Sequence, residues 1–338
     1  MSVRVVTTSG LPAWNVAEIL EAVEERCRVL LARTISGKNN SDNEAENAAL
    51  YHLQSGGRRI RAQLALSAAL QLGLSARTAT AIATACELLH NASLVHDDLQ
   101  DRDSQRRGSP TVWKKFSDAT AICTGDLLLS AAYASLAEVD EVPKLASMLR
   151  LIHARTAAAI SGQAADLAHK TTPVSDIDTY LRIVVGKSGA LLSLPIELAL
   201  LAAGCDRWAS VAQEAAYAFA IGYQIADDID DLNKDAGLEG NDPTLNFALL
   251  LGRHCEQADE HESRPEACNA RSIHQRCTAI AREHLLLAES AAMALPGQSG
   301  ALLAHLAARL ATRLTTQPTT QPTTQPATQP HTQLHERL

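Results

Sequence analysis

Two aspartate clusters with the same spacing are the residues of this 338-residue chain best suited to chemistry. They are the segments DDLQD (97–101) and DDIDD (227–231), and an apolar run precedes each of them. In a helix, the first and last aspartate of each cluster share one face, where like charges repel. Carboxylate oxygens on such faces suit Mg²⁺, which typically takes one or two carboxylates together with substrate phosphates. Two such faces that pointed at each other would bind a diphosphate through metal ions.

Basic residues that could bind a diphosphate directly lie near the first cluster. The segment GGRRIR (56–61) opens a helical run, and RRG (106–108) follows the first cluster. Glycine lets the backbone approach an anion closely, and the arginine fork matches phosphate oxygens. His90 lies about two helical turns before Asp97, and Lys187 lies in the segment GKSG. The sequence therefore predicts two neighbouring anion sites, one acidic and one basic.

With these motifs the chain resembles the trans-isoprenyl diphosphate synthases of the polyprenyl synthetase family, over about residues 15–313. The matching stretches are GGRRIR (56–61), ELLHNASLVHDDLQDRDSQRRGSPT (87–111), TGDLLL (124–129), GQAADL (162–167), VGKSGALL (185–192) and GYQIADDIDDLNKD (222–235). The resemblance implies an all-α fold, the isoprenoid synthase helical bundle around a central active-site cavity.

The activity implied by the resemblance is Mg²⁺-dependent head-to-tail condensation of isopentenyl diphosphate with an allylic prenyl diphosphate. Three Mg²⁺ ions per active site are expected with substrate bound, and Mn²⁺ is the possible substitute. The chain is expected to be a homodimer. One alternative is a class I terpene cyclase, although the second DDxxD cluster and the basic segments argue against it. The other alternative is a non-catalytic or regulatory subunit of a heteromeric prenyl synthase.

The resemblance also implies roles for individual residues. The metal ligands and their supporting carboxylates are Asp97, Asp98, Asp101, Asp227, Asp228 and Asp231. The isopentenyl diphosphate set is Arg58, Arg61, His90 and Arg107. The allylic diphosphate set is Arg106, Lys187, Ser188, Gln224 and Lys234, of which Lys187, Ser188 and Gln224 are also the expected catalytic residues.

Three departures from the family pattern affect these expectations. Arg58 stands where the family usually has lysine, and Ala62 stands where it usually has proline. The segment 235–246 is short and lacks the usual Gly-Lys loop after the second cluster, so Lys234 is the candidate substitute.

Product length depends on how far the prenyl chain can extend past the first cluster. The residues four and five positions before Asp97 are Ser93 and Ala92, and both are small. The floor of the pocket is therefore expected deeper, at Leu89 or at Tyr133 on a neighbouring helix. This favours a product of twenty carbons or more, namely geranylgeranyl diphosphate, with farnesyl diphosphate as the alternative.

Composition bounds the remaining possibilities. The net charge of −8 argues against nucleic-acid binding. The seven cysteines show no CxxC pair, which is typical of a reducing compartment. No signal peptide is visible, and the apolar run 190–203 is interrupted and too short to span a bilayer. These features predict a cytoplasmic protein.

Alanine and leucine dominate the apolar residues and aromatic residues make up only 3%, which favours helices over strands. The predicted domains are an irregular N-terminus (1–13), an isoprenoid synthase domain (14–314) and a disordered TTQP-repeat tail (315–338). Helices are predicted at 14–33, 44–54, 59–72, 76–101, 117–138, 143–168, 176–202, 207–233, 244–251, 270–293 and 298–313, with Ser41 or Asp42 capping the second.

Overall fold

The computed structural model describes residues 16–32, 43–169, 176–235, 245–259 and 270–316, and these residues form an all-α bundle. The predicted fold class is therefore confirmed. The predicted irregular N-terminus, most of the 235–246 segment and all but the first two residues of the predicted tail lie outside the described residues.

The α-helices of the described residues, in chain order, are α1 (Val16–Ala32), α2 (Glu44–Gln54), α3 (Ile60–Gln71), α4 (Ala76–Gln100), α5 (Val112–Lys115), α6 (Asp118–Leu136), α7 (Leu145–His169), α8 (Ile177–Val184), α9 (Ala190–Ala202), α10 (Ala209–Asp235), α11 (Phe247–Asp259), α12 (Ala270–Met293) and α13 (Ala301–Thr316). Two-residue strands β1 (Gln105–Arg106) and β2 (Ser109–Pro110) form an antiparallel pair between α4 and α5.

Local signals explain where these helices begin and end. The hydroxyl groups of Ser75 and Ser117 accept hydrogen bonds from the amides three residues on, at 3.1 and 3.0 Å, and so cap α4 and α6. Gly73 and Gly204 follow α3 and α9 with positive φ, which ends a helix at little cost. The predicted cap of α2 was wrong, because Asn43, not Ser41 or Asp42, accepts from the Glu46 amide.

The core is built around α4 and α9, which are buried along most of their length. α9 packs on α3, α4, α7 and α10, so it lies between the two helices that carry the acid clusters. The run predicted as one helix over 176–202 contains a π-helical turn, Val185–Gly189. A π turn shifts the helix register by one residue and commonly occurs at functional sites.

The prediction for α11 was wrong at its C-terminal end, because that helix continues to Asp259 and not to residue 251. Its first turns bury Phe247, Ala248 and Leu251, and the helix then continues through polar residues. A surface helix needs only one apolar face, so loss of the apolar pattern did not mark the end of this helix.

Within the described ranges, two segments are long and apolar enough to cross a membrane by length and composition, Asp118–Leu136 and Ile177–Ala202. The apolar run 190–203 is too short by itself to span a bilayer, but it belongs to a longer helical segment that begins at Ile177. The bundle buries 78% of its most apolar window, which is the expected state of a core helix.

Candidate active site

The first acid cluster lies at the C-terminal end of α4. Asp97 and Asp98 are buried, and Asp101 caps the helix by donating its amide to the Asp97 carbonyl at 2.8 Å. The Asp98 carboxylate is held by Arg106, whose Nε and Nη2 lie 2.9 and 2.6 Å from Oδ1. Asp97 and Asp101 therefore share a helix face, while Asp98 anchors the β1 segment.

The second acid cluster lies near the C-terminal end of α10. Asp228 is buried, and its Oδ2 accepts hydrogen bonds from the Tyr180 hydroxyl at 2.6 Å and the Phe247 amide at 2.7 Å. Its Oδ1 accepts from Gln224 Nε2 at 2.8 Å. As in the first cluster, the second aspartate is held by the protein, while Asp227 and Asp231 share the remaining helix face.

Lys187 lies in the π turn, close to the first cluster. Its Nζ donates to Asp166 Oδ2 on α7 at 2.6 Å. The backbone of Gly186 touches Gly162 on α7, where any side chain at Gly162 would overlap the Lys187 backbone. The two glycines allow α7 and the π turn to approach closely enough for the lysine to meet Asp166 and the charge of Asp97.

Burial makes the acid clusters costly to ionise in the absence of a cation. Burial raises the pKa of Asp97 to about 7, against the opposing charge of Lys187. Burial likewise raises the pKa of Asp228 to about 7, although three donors oppose it. For Lys187, burial lowers the pKa, but Asp97 and Asp166 outweigh it and the net shift is upward. An added cation near Asp97 would favour the ionised carboxylate.

The basic segments lie beside the first cluster. Gly56 and Gly57 precede α3 with positive φ, and the Arg107 side chain packs directly against them. Arg107 Nη1 donates to the Gly56 carbonyl, and a Cβ on Gly57 would lie 2.7 Å from the same guanidinium. The GGRRIR and RRG segments therefore meet in space, and Arg106 links them to the first cluster through Asp98.

Arg61 and His90 form the buried part of this basic site. Arg61 Nη1 lies 3.0 Å from His90 Nε2, and both side chains are buried. Since a guanidinium only donates, Nε2 must be the acceptor and the neutral imidazole carries its proton on Nδ1. Burial lowers the pKa of Arg61 to about 10, which still leaves it charged at neutral pH. Arg58 is exposed on the same loop.

Paired acid clusters beside joined arginine segments, on an all-α bundle, agree with a family comparison. The polyprenyl synthetase family model matches residues 42–261, which is more than half of the chain. The chain belongs to the polyprenyl synthetase family. A curated farnesyl diphosphate synthase from Geobacillus stearothermophilus is 31% identical over 274 residues, covering 73% of this chain and 91% of the relative. A geranylgeranyl diphosphate synthase from Mycobacterium tuberculosis is 31% identical over 297 residues, covering 81% and 84%.

Other relatives match a shorter part of the chain. A farnesyl diphosphate synthase from M. tuberculosis is 40% identical over 175 residues, covering 51% of this chain and 48% of the relative. The chain thus spans about half the length of that relative. Among solved structures, a decaprenyl diphosphate synthase from Rhodobacter capsulatus superposes with a TM-score of 0.73 at 22% identity, covering 88% of this chain and 97% of that one. At this identity the similarity supports the fold alone.

The other predicted site residues are distributed as follows. Ser188 is half-buried in the π turn, and the Gln224 amide is bonded to Asp228. The Lys234 side chain lies outside the described residues. Of the chain-length set, Leu89 and Ala92 are buried in the core, whereas Ser93 and Tyr133 remain partly exposed.

Sequence reasoning missed several residues that hold the site together. Asp166 lies within the quoted GQAADL stretch, and its place in that motif was a signal that could have been used. Tyr180 carried no such signal, because its partner Asp228 is 48 residues away. Arg59, Glu87 and His52 are buried or nearly so behind the basic site and were likewise missed.

The donor chemistry of the acid clusters fits a hard divalent cation. Among the described residues, no group of three His, Cys, Asp or Glu side chains converges into a complete metal cage. The carboxylates of Asp97, Asp101, Asp227 and Asp231 supply oxygen ligands only. Mg²⁺ keeps several waters and takes phosphate oxygens as ligands, so sparse carboxylates on two helices suit it.

Proposed function

We propose that the chain is a Mg²⁺-dependent trans-prenyltransferase, which condenses isopentenyl diphosphate with an allylic prenyl diphosphate. The observation that carries this proposal is the pairing of two different anion sites. One is lined by carboxylates and needs a metal to bind diphosphate, and the other is lined by arginine and histidine and needs none. The Asp98–Arg106 ion pair, at 2.6 Å, joins them.

In the acidic site, Asp97, Asp101 and Asp227 are the main metal ligands, Asp231 completes the face, and three Mg²⁺ ions, or Mn²⁺ in their place, are expected. The bound metal neutralises the charge that develops on the diphosphate leaving group. Asp98 and Asp228 bind no metal in this scheme and orient the two helix ends through their protein partners.

The chain's own cations assist at both sites. Lys187 and Arg106 hold the allylic diphosphate beside the first cluster, with Lys234 as the third candidate. Arg58, Arg61, His90 and Arg107 hold isopentenyl diphosphate. Fixed cations near a leaving diphosphate stabilise the charge that appears as the carbon–oxygen bond breaks.

The interior supports a carbocation reaction. Ser188, next to Lys187 in the π turn, and Gln224, bonded to Asp228, are the residues assigned to stabilise positive charge through their oxygen dipoles. The buried apolar residues of α4 and α9 exclude the water that would quench the cation. The double bond of isopentenyl diphosphate attacks the allylic carbon, and the released diphosphate accepts the proton lost from the new chain.

The growing chain extends past Ser93, and a twenty-carbon product, geranylgeranyl diphosphate, is favoured over farnesyl diphosphate. Ser93 is partly exposed and small, so it leaves room one turn below the first cluster.

We assign the chain to the cytoplasm as a homodimer that binds no nucleic acid. The five cysteines whose side chains are described are all free thiols, which suits a reducing compartment.

The proposed dimer surface lies on α7, which exposes a stripe at residues 150, 153, 157, 160 and 164, with Ile160 61% exposed. A second copy of the chain would cover this stripe. Ile160→Asp should then dissociate the dimer in sedimentation analysis, whereas Met293→Asp, at an equally exposed site on α12, should not.

The activity is tested by incubating the purified chain alone with farnesyl and isopentenyl diphosphates and Mg²⁺, followed by identification of the products. A prenyl diphosphate longer than the supplied allylic substrate supports the proposal. A cyclic hydrocarbon would identify a terpene cyclase. Absence of any product with dimethylallyl, geranyl and farnesyl diphosphates, each supplied in turn, would support a subunit that needs a partner.

A further inference from the structure

Arg59 lies between two residues of the proposed isopentenyl diphosphate site, Arg58 and Arg61, yet its guanidinium is held by protein groups on three other helices. It precedes α3 as its N-cap residue, with φ 54° and ψ 36°. That left-handed conformation is unfavourable for a residue with a Cβ and is usually occupied by glycine. An arginine there suggests that its side chain compensates for the backbone cost.

The Arg59 guanidinium contacts three helices. Its Nη2 donates to the Leu53 carbonyl in the last turn of α2 at 2.7 Å, and its Nη1 donates to Glu87 Oε1 on α4 at 3.0 Å. Its Nε lies 3.5 Å from Glu24 Oε1 on α1. The last carbonyls of a helix lack partners within it and attract cations, so the contact to Leu53 is favourable.

The contact with Glu87 brings the loop onto the helix that carries His90. Glu87 is 3% exposed, and its Oε1 also accepts from Asn91 Nδ2 at 3.0 Å. His90 lies three residues after Glu87, less than one turn away, and meets Arg61. Arg59–Glu87 and Arg61–His90 are therefore two adjacent side-chain contacts between the loop and α4. Of these two contacts, Arg61–His90 alone belongs to the proposed substrate site.

Behind the loop there is a cavity of about 240 Å³, lined by Gly56, Arg59, Glu87 and by both apolar and polar side chains of α1 and α2. The loop is thus incompletely packed on this side. Where packing is incomplete, polar contacts have a larger share in fixing the position of a backbone. Arg59 supplies three such contacts from a side chain that is 10% exposed.

We infer that Arg59 is a positioning residue, which holds the 56–61 loop against α2 and α4 so that Arg58 and Arg61 are aligned for isopentenyl diphosphate. This inference rests on the proposed function of that site. Arg59 does not itself touch substrate, because its donors are directed to Leu53, Glu87 and Glu24.

Arg59→Gly tests this role, since glycine relieves the left-handed backbone and removes only the side chain. The KM for isopentenyl diphosphate should rise on the order of tenfold to a hundredfold, the cost of misaligning a binding group. The kcat and the KM for the allylic substrate should change less than about threefold. Arg59→Lys keeps the charge but cannot contact all three partners, and it should give an intermediate KM.

Arg28→Gln is the matched control. Arg28 lines the same cavity but is 51% exposed, and its ion pairs within the described part of the chain are with Glu24 and Glu25 on its own helix. Its substitution should leave both KM values unchanged. If Arg59→Gly does not fold, Glu87→Gln removes the buried partner instead and should give the same selective rise in KM.

Two results would overturn the inference while leaving the proposed function intact. One is an active wild type whose KM for isopentenyl diphosphate does not respond to Arg59→Gly or Glu87→Gln. The other is an equal loss in kcat and in both KM values, which would indicate a general structural role. A wild-type chain without prenyltransferase activity would refute the proposed function, and binding of isopentenyl diphosphate by calorimetry would then decide the positioning role separately.

Discussion

The two acid clusters have the same spacing, yet they are anchored in opposite ways. In the first, the middle carboxylate of Asp98 pairs with a buried cation, Arg106, at 2.6 Å. In the second, Asp228 accepts from three neutral donors, namely a tyrosine hydroxyl, a glutamine amide and the backbone amide of Phe247. The second aspartate of the motif is therefore held by a cation on α4 and by neutral donors on α10, where Asp230 of the same cluster pairs with Arg313 at 3.5 Å.

This difference separates a functional anchor from an architectural one. Arg106 pairs with Asp98, and its neighbour Arg107 donates to the Gly56 carbonyl in the GGRRIR loop. The first acid cluster is therefore linked to the basic site. Asp228 instead ties α10 to α8 and to the start of α11, with Asn246 Nδ2 donating to its carbonyl at 3.0 Å. Equal motifs in a sequence need not have equal surroundings, and the surroundings decide what a substitution costs.

The largest expected effect is shared by both clusters. Asp97→Asn and Asp227→Asn each remove a proposed metal ligand while keeping the side-chain shape. Turnover should fall by about three orders of magnitude or more, because the metal acts on the charge that develops during ionisation. Circular dichroism should remain unchanged. Steady-state kinetics with saturating substrates and Mg²⁺ measure the effect, and full wild-type activity in excess EDTA would contradict it.

The second prediction compares the stability cost of the same substitution at the second aspartate of each cluster. Asp98→Asn leaves the Arg106 guanidinium buried without its counter-charge, and such changes cost about 3–5 kcal/mol. Asp228→Asn removes charge from a site with neutral donors and should cost less, about 1–3 kcal/mol. Urea unfolding at pH 8 compares the two variants, since both carboxylates are then more fully ionised. Equal losses of unfolding free energy would show that the cationic setting makes no difference.

Much of this arrangement could be predicted from the sequence, because it depends on local signals. The helix ends follow capping serines and glycines such as Ser75 and Gly73, and the acid and arginine motifs mark the site and the family. The pairing partners could not be predicted in the same way. Asp98 meets Arg106 because the chain turns back after α4 at Arg102, which has positive φ, with the Asp103 amide donating to the Asp98 carbonyl at 3.0 Å. Tyr180 meets Asp228 only through tertiary packing. Likewise, no sequence pattern marks the π turn that carries Lys187, because that turn lies within one continuous, largely apolar helical run.

The third prediction compares the residues one turn below each cluster. Four positions before Asp97 lies Ser93, whereas four positions before Asp227 lies Tyr223, whose ring stacks on Phe219 at 6.2 Å. The α4 wall is therefore the one with room for a growing chain. Ser93→Phe should shift the products toward fifteen carbons while metal dependence is retained.

Ala92→Phe is the comparison variant for that experiment. Ala92 is the second small residue on this wall, and Ala92→Phe should shorten the product further when combined with Ser93→Phe, at a cost in stability because Ala92 is only 4% exposed. Product chromatography of Ser93→Phe, alone and combined with Ala92→Phe, measures chain length. An unchanged product distribution from an active variant would mean that the chain grows along the α10 wall.

The smallest expected effect concerns His52, which lies behind the basic site. Burial, followed by the charges of Arg106, Arg107 and Arg59, lowers the pKa of His52 from 6.5 to about 3. Between these two pKa values the imidazole of His52 is protonated in the unfolded chain but neutral in the folded chain. The free energy of unfolding therefore falls as the pH decreases below 6.5. The loss should be about 1.4 kcal/mol for each pH unit. His52→Gln removes this titration, so the wild type should lose free energy of unfolding relative to the variant between pH 6.5 and pH 5. Other titrating groups, including Asp97 and Asp228, cancel in that difference. A difference that stays constant over this range would mean that the folded protein protonates His52 as readily as the unfolded chain, and that neither burial nor the three arginines lowers its pKa.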